Sequence, residues 1–225
     1  MANTEVKKNY VIRVHDDPTA VDAGAWNALL DVQDSPTPFM RHEYLLGLHR
    51  SRSAVAETGW DPAWITIECQ GALHGAAALY LKAHSYGEYV FDWAWADAYQ
   101  RNGLDYYPKL LGAVPFTPVP GSRLLAVNDA ARDLLLRTIL ALARQQRLSS
   151  VHLLFMSAAD RAACARAGWL LREGRHAVLH GARVYSFLRS KHAEMRRINV
   201  AGTRIVLEAG LAAGCNPVVH VSSFV

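Results

Sequence analysis

No apolar run in the 225-residue chain approaches the ~18 residues that a membrane-spanning helix needs. The opening stretch, MANTEVKKNYVIRVHDD, carries charges but no apolar core, so no secretory leader is expected there. Cysteine is scarce. Cys69, Cys164 and Cys215 form an odd, scattered set without metal-ligand spacing, which points to reduced thiols in the cytoplasm. There is no Gly-x-x-x-x-Gly-Lys-Ser/Thr loop, which sets aside the commonest nucleotide hydrolases. No Ser or Cys stands in a nucleophile elbow. His176 and His180 are four apart but lack a third ligand, so no metal site is expected.

What remains is the composition of a globular protein with a sizeable core: 51% hydrophobic and 20% charged residues. The net charge of +4 is unevenly placed. Residues 161–204 carry ten Lys and Arg against two Glu, a net of +8; residues 1–160 carry fourteen against seventeen acids, a net of −3; the remainder adds −1. Such a basic block suits phosphates or anionic surfaces, and equally suits solvated helix faces. No nucleic-acid motif accompanies it, and no nucleic-acid partner is expected.

Aromatics concentrate in residues 85–118, SYGEYVFDWAWADAYQRNGLDYYPKLLGAVPFTP, which hold Tyr86, Tyr89, Trp93, Trp95, Tyr99, Tyr106 and Tyr107. Glu88, Asp92, Asp97, Arg101, Asp105 and Lys109 interleave with them. Rings with polar tips beside carboxylates suit a cleft for a polar ligand; they also suit a plain core whose polar ends find partners.

Along the chain, residues 10–14 read as a strand, 22–32 as a helix, 34–38 as a proline loop and 41–52 as a second helix. Residues 64–69 and 74–82 read as strands around the turn Gln70-Gly71-Ala72, and 89–93 as a third. The small residues Gly75 to Ala78 would let another element approach the second strand. A helix is expected over 94–100. Asn128 caps a longer one over 130–147, and a buried strand (151–155) leads to a helix that Ser157 caps and Gly168 ends. This succession predicts an α/β unit with a mainly antiparallel sheet over residues 10–174.

Four runs carry a resemblance: PFMRHEYLLGLHRS (38–51), ETGWDPAWITIE (57–68), GAAALYLKAHSYGEYVFDWAWADAYQRNGLDYYPKLLGAVPFTPVPGSRLL (75–125) and HLLFMSAADRAACARAGWLLREG (152–174). They resemble a bacterial family of N-acyltransferases in the GNAT superfamily, the peptidoglycan biosynthesis/recognition proteins, distantly similar to Fem-type aminoacyltransferases. The resemblance implies a GNAT-like mixed, mainly antiparallel sheet with flanking helices over residues 1–174. It implies attack of an amine on a carrier-bound acyl group, with acyl-CoA or another acyl carrier as co-substrate and no required cofactor. The acceptor would be a small molecule or cell-wall precursor. The Arg/Gln-x-x-Gly-x-Gly/Ala loop of many acetyl-CoA-binding GNAT enzymes is absent. Candidate catalytic carboxylates are Glu88, Asp92 and Asp97; candidate substrate contacts are Tyr86, Trp93, Trp95, Tyr99, Tyr106 and Lys109.

Past residue 175 the chain departs from that family's pattern, whose second half is expected to be missing. AVLHGARVYSF (177–187) and HAEMRRINVAGTRIVLEAGLAAGCNPVVHVSS (192–223) resemble the middle of an extended short-chain dehydrogenase/reductase. That resemblance implies a Rossmann-like β-α-β fragment over 175–225, with Asn199 and Ser223 at positions matching the reductase's active-site Asn and Ser. The Gly-rich turn that seats a pyrophosphate and the Tyr-x-x-x-Lys dyad are both absent, so NAD(P) binding is not expected. A truncated acyltransferase-like fusion is the reading that results; an oxidoreductase fragment or an inactive fusion product is the alternative.

Overall fold

The computed structural model describes residues 9–90 and 92–171. In chain order its elements are β1 (Tyr10–His15), α1 (Ala23–Asp31), α2 (His42–Arg50), β2 (Asp61–Pro62), β3 (Trp64–Cys69), β4 (Ala72–Ala77), β5 (Tyr80–Lys82), α3 (Trp93–Arg101), β6 (Lys109–Gly112), β7 (Leu125–Ala126), α4 (Asp129–Gln145), β8 (Val151–Leu153) and α5 (Ala158–Arg166). The strands form two four-stranded sheets, ordered β1-β3-β4-β7 and β2-β5-β6-β8.

Each neighbouring pair is antiparallel except β6 and β8, which are parallel. That parallel pair needs a long crossover, and α4 lies within it. The tight turn between β3 and β4 places Gln70 and Gly71 at φ 53° and 79°, the left-handed pair that matches the twist of a two-residue hairpin. Only Ala78 and Leu79 separate β4 from β5, so one stretch of chain passes from the first sheet into the second.

Strand β3 is apolar almost throughout because both of its faces are covered. Trp64 packs with Trp26, Leu30, Met40 and Leu45 of the α1 and α2 side, while Ile65 and Ile67 pack with Leu135 and Ile139 of α4. Each such side chain contributes roughly 1.5–3 kcal/mol by leaving water. Gly75 is the contact point for α4: a Cβ there would lie 3.2 Å from Leu135 Cγ, so any side chain would press Leu135 back by a few tenths of an ångström. The caps follow the sequence. Asn128 Oδ1 accepts from Ala131 N at 2.9 Å, and Ser157 Oγ accepts from Asp160 N at 3.2 Å.

Of the expected strand over 89–93, none of the described residues, 89, 90, 92 and 93, lies in a strand. Tyr89 has φ 58°, a left-handed conformation that breaks an extended run, and α3 already begins at Trp93. The short strands β2, β6 and β7 were not anticipated; each has only two to four residues, too few to show alternation.

Candidate functional site

Lys82 closes β5 and Lys109 opens β6. The sheet register sets them directly opposite each other, and both side chains are wholly buried. Like charges in cross-strand partners repel, and burial in a low dielectric sharpens that repulsion. The chain supplies compensation from residues 83–92, which join β5 to α3.

Glu88 Oε2 accepts from Lys109 Nζ at 2.8 Å, and Asp92 Oδ2 accepts a short bond from the same ammonium. Two hydroxyls hold Asp92 further: Tyr106 donates to Oδ2 at 2.8 Å and Tyr107 to Oδ1 at 3.1 Å. Asp92 stands just before α3, where an aspartate commonly caps the helix, yet its side chain makes no cap bond because it is turned into this cluster. Lys82 is served differently. Its Nζ donates to Tyr86 O at 3.1 Å and lies 3.7 Å from the centre of the Trp60 ring, a cation–π contact.

The electrostatic consequences differ by residue. Burial raises the Glu88 carboxyl above its ordinary value, against the opposing pull of Lys109. Burial alone would raise Asp92 too, but the Lys109 bond and charge, with the Tyr106 hydroxyl, hold it below the usual range. Burial draws the Lys82 ammonium down to about 8, although Glu88 pulls it upward. Glu88 Oε1 is buried and accepts no hydrogen bond. A carboxylate oxygen left so is an unused acceptor in a dry setting, the kind of atom that receives a proton or a donor.

Of the residues expected from sequence to form the site, the fold brings together Glu88, Asp92, Tyr106 and Lys109. Of the other candidates, Tyr86, Trp93 and Asp97 lie on the outside, while Asp92 is buried. Asp97 lies 3.8 Å from Arg101 one helical turn on, and α3 has no buried residue. Trp95 is exposed; Tyr99 is half-buried, with its ring 5.2 Å from that of Tyr106. Sequence reasoning missed Lys82, Trp60 and Tyr107 as members. A lysine ending the apolar strand GAAALYLK was the available signal, and only the register with Lys109 gives it meaning.

A second buried charged cluster joins β7, α4 and α5. Asp160 Oδ2 accepts from the backbone N–H groups of Arg123 at 2.6 Å and Leu124 at 3.2 Å, and Oδ1 faces Arg132 Nε at 3.4 Å. Burial pushes the Asp160 carboxyl up to about 6. Arg123 Nε donates to Leu154 O at 3.0 Å, and Arg132 Nη2 to Gln33 Oε1 at 3.0 Å. The N-terminus of α4 is filled by its own Asn128 and carries Asp129, bonded to Arg132 at 2.8 Å; this end of the helix does not fit a pyrophosphate. An open groove elsewhere is lined by Asp16, Asp17, His49, Arg52, Glu57 and Asp61; Arg52 pairs with Glu57 at 2.5 Å and His49 lies 3.9 Å from Asp17, while burial and the neighbouring Asp16 and Glu57 raise the Asp61 carboxyl. Among the described residues no group of three or more His, Cys, Asp or Glu could hold a metal ion, and no helix is long and apolar enough to cross a membrane.

None of the curated proteins matches the sequence. Among solved structures, the chain is similar to an aminoglycoside N-acetyltransferase AAC(6')-Iy in complex with CoA, at 11% identity and a TM-score of 0.44, covering 80% of this chain and 99% of that one. It is similar to glucosamine-6-phosphate N-acetyltransferase from Arabidopsis thaliana, at 11% identity and a TM-score of 0.41, over 76% of this chain and 99% of that one. A predicted acetyltransferase with acetyl-CoA from Clostridium acetobutylicum is similar at 12% identity and a TM-score of 0.40, over 76% and 96%. These are distant likenesses.

The family described as FemAB-like, peptidoglycan biosynthesis/recognition, matches residues 17–200. Its match runs on through residues 175–200, which the sequence reading gave to a reductase fragment; Asn199 and Ser223 lie outside the described residues. With most of its length matched, the chain belongs to the FemAB-like family of peptidoglycan biosynthesis/recognition proteins.

Proposed function

We propose that the chain is a cytoplasmic N-acyltransferase that moves an acyl or aminoacyl group from an activated carrier to the amine of a small molecule or cell-wall precursor. The family match over residues 17–200 is the observation that carries this reading. The amine lone pair attacks the carbonyl carbon, a C–N bond forms, the bond to the carrier breaks, and the ammonium proton must leave. Glu88 is the best-suited acceptor for that proton. Its carboxyl is raised by burial, and Oε1 holds an unused lone pair while Lys109 fixes Oε2. Asp92 is a positioning residue, since Lys109, Tyr106 and Tyr107 occupy both of its oxygens. Exposed Tyr86, Trp93, Trp95 and Asp97, with half-buried Tyr99, are the surface on which the acceptor would rest. Glu88 is itself buried, so residues 83–90 must lift for it to meet the amine.

The carrier is acyl-CoA or another acyl carrier. The acidic, self-capped start of α4 supports one whose binding does not rest on a pyrophosphate at that helix. The test is transfer of radiolabelled acyl and aminoacyl groups from CoA and other activated carriers to a panel of amines. Glu88→Gln is expected to lower kcat by about 10²–10⁴ with KM little changed, the usual effect of losing a general base. No transfer to any amine by the native chain, or full transfer by Glu88→Gln, removes the reading or the assigned base respectively.

A further inference from the structure

We propose that Lys82 and Lys109 form the floor of a carboxylate-binding site, that Glu88 occupies it as an internal stand-in, and that the carboxylate of a ligand takes Glu88's place when residues 83–90 lift. The floor is built by the sheet. Two lysines face each other across adjacent strands with their side chains fully buried, an arrangement that stands only with anions against it. Among those anions, Asp92 is fixed by two tyrosines and Lys109. Two lysine charges less the Asp92 charge leave one positive charge, which a single carboxylate balances and a phosphate dianion exceeds.

Glu88 fills that seat incompletely. It gives one oxygen to Lys109 and leaves Oε1 buried without a partner, while Lys82 is left with a backbone carbonyl and a ring face. A ligand carboxylate free to orient both oxygens toward the two ammonium groups satisfies more donors than Glu88 does from its backbone position.

The segment bearing Glu88 is shaped as a strap, not as a buried part of the core. Gly87 stands at φ 79° and Tyr89 at φ 58°, and Tyr86 and Tyr89 face outward. Among the described residues the strap is tied down by Gly87 O accepting from Phe116 N at 3.2 Å, Tyr86 O from Lys82, Glu88 from Lys109, and the Ser85 side chain against Asp92 and Tyr107. Gly87 touches the Phe116 ring so closely that a Cβ would come within 2.7 Å of it. Lifting the strap would free Glu88 and bare both lysines in one movement.

The site shares Glu88 and the strap with the acyl-transfer reading, but its test is separate, because it is read from binding without turnover. Sodium acetate is titrated against the full chain by thermal shift, with sodium chloride at equal ionic strength as the control and sodium phosphate as a second anion. Three variants accompany the native chain: Glu88→Gln, which removes the stand-in; Gly87→Ala, which strains the strap but keeps every charge; and Glu88→Gln with Lys82→Met. Glu88→Gln and Gly87→Ala are each expected to bind acetate at least tenfold more tightly than the native chain and to prefer it to phosphate. Adding Lys82→Met is expected to abolish the gain. Equal acetate affinity in the native chain and both single variants, a preference for phosphate, or a gain that survives Lys82→Met would overturn the proposal. An inactive chain that shows the gain leaves it standing, and an active chain without the gain retires it alone.

Discussion

The two buried charge clusters differ in where their compensation comes from. Around Asp160 the carboxylate is met by backbone N–H groups of Arg123 and Leu124, and Arg132 approaches from α4. Those donors are main-chain groups of the two buried residues that lead directly into β7. Around Lys109 the lysines belong to the sheet, but Glu88 comes from a strap with an exposed outer face. The first cluster joins α5 to the sheet and has a structural role. On the proposal above the second exchanges one of its members, and exchange is what a binding or proton-transferring site requires. Burial and charge alone do not separate the two; the kind of partner does, a side chain on an outward-facing loop in one and main-chain N–H groups in the other.

The sharpest way to break this contrast is Lys109→Met. Methionine fits the space of the lysine stem but leaves Glu88 and Asp92 buried without their shared cation. Removing one partner of a buried pair costs about 3–5 kcal/mol, and urea unfolding is expected to show a loss of that size. A loss below about 1 kcal/mol, the scale of an exposed pair, would mean that the strap already lies open in solution.

Much of the frame was legible in the sequence because it rests on local rules. Helix α4 declares itself through Asn128 and the spacing of Leu134, Leu135, Ile139, Leu142 and Ala143, although the structure buries Leu136 and leaves Leu134 only partly buried; the β3–β4 hairpin declares itself through Gln70 and Gly71. Of the site, Glu88, Asp92, Tyr106 and Lys109 were visible as a dense mixture of rings and charges in one stretch. Their geometry was not. The opposition of Lys82 and Lys109 depends on a strand pairing between residues 27 positions apart, which no local spacing encodes. The lack of a strand among the described residues of 89–93 has the same origin: Glu88 and Asp92 are both drawn inward to Lys109, and the chain between them turns through a left-handed Tyr89 to allow it. Asp97 looked like its neighbours in sequence but sits on the outward side of α3, paired with Arg101.

The structural cluster should announce itself in acid. Asp160 is raised from an ordinary 3.8 to about 6. Between those values the folded chain holds a proton that the unfolded chain has released, so this group makes stability fall as pH rises across the window and contributes no slope above it. Converted by the standard relation, the change is at most about 3 kcal/mol. Asp92 and Asp34 are lowered, and their contributions run the other way, being lost as pH falls. The Asp160 part is therefore read as the difference between native and Asp160→Asn denaturation curves from pH 3.5 to 7. A difference that does not change with pH would show that Asp160 titrates normally.

At neutral pH the same Asp160→Asn substitution is expected to have the smallest effect, within about 1 kcal/mol of the native chain. Two changes oppose each other. An amide carries no charge to desolvate, which relieves the cost that raises the Asp160 carboxyl. Its oxygen can still accept from the Arg123 and Leu124 N–H groups. Against this, Arg132 loses its buried counter-charge and the new amide N–H₂ must find acceptors beside it. Arg132 keeps Asp129 and Gln33, so its guanidinium is not left bare. After Lys109→Met, Asp92 keeps the Tyr106 and Tyr107 hydroxyls and Ser85, and Glu88 keeps only the charge of Lys82 among the described residues. A urea midpoint for Asp160→Asn as low as that of Lys109→Met would place the charge of Asp160, and not its geometry as an acceptor, at the centre of that cluster.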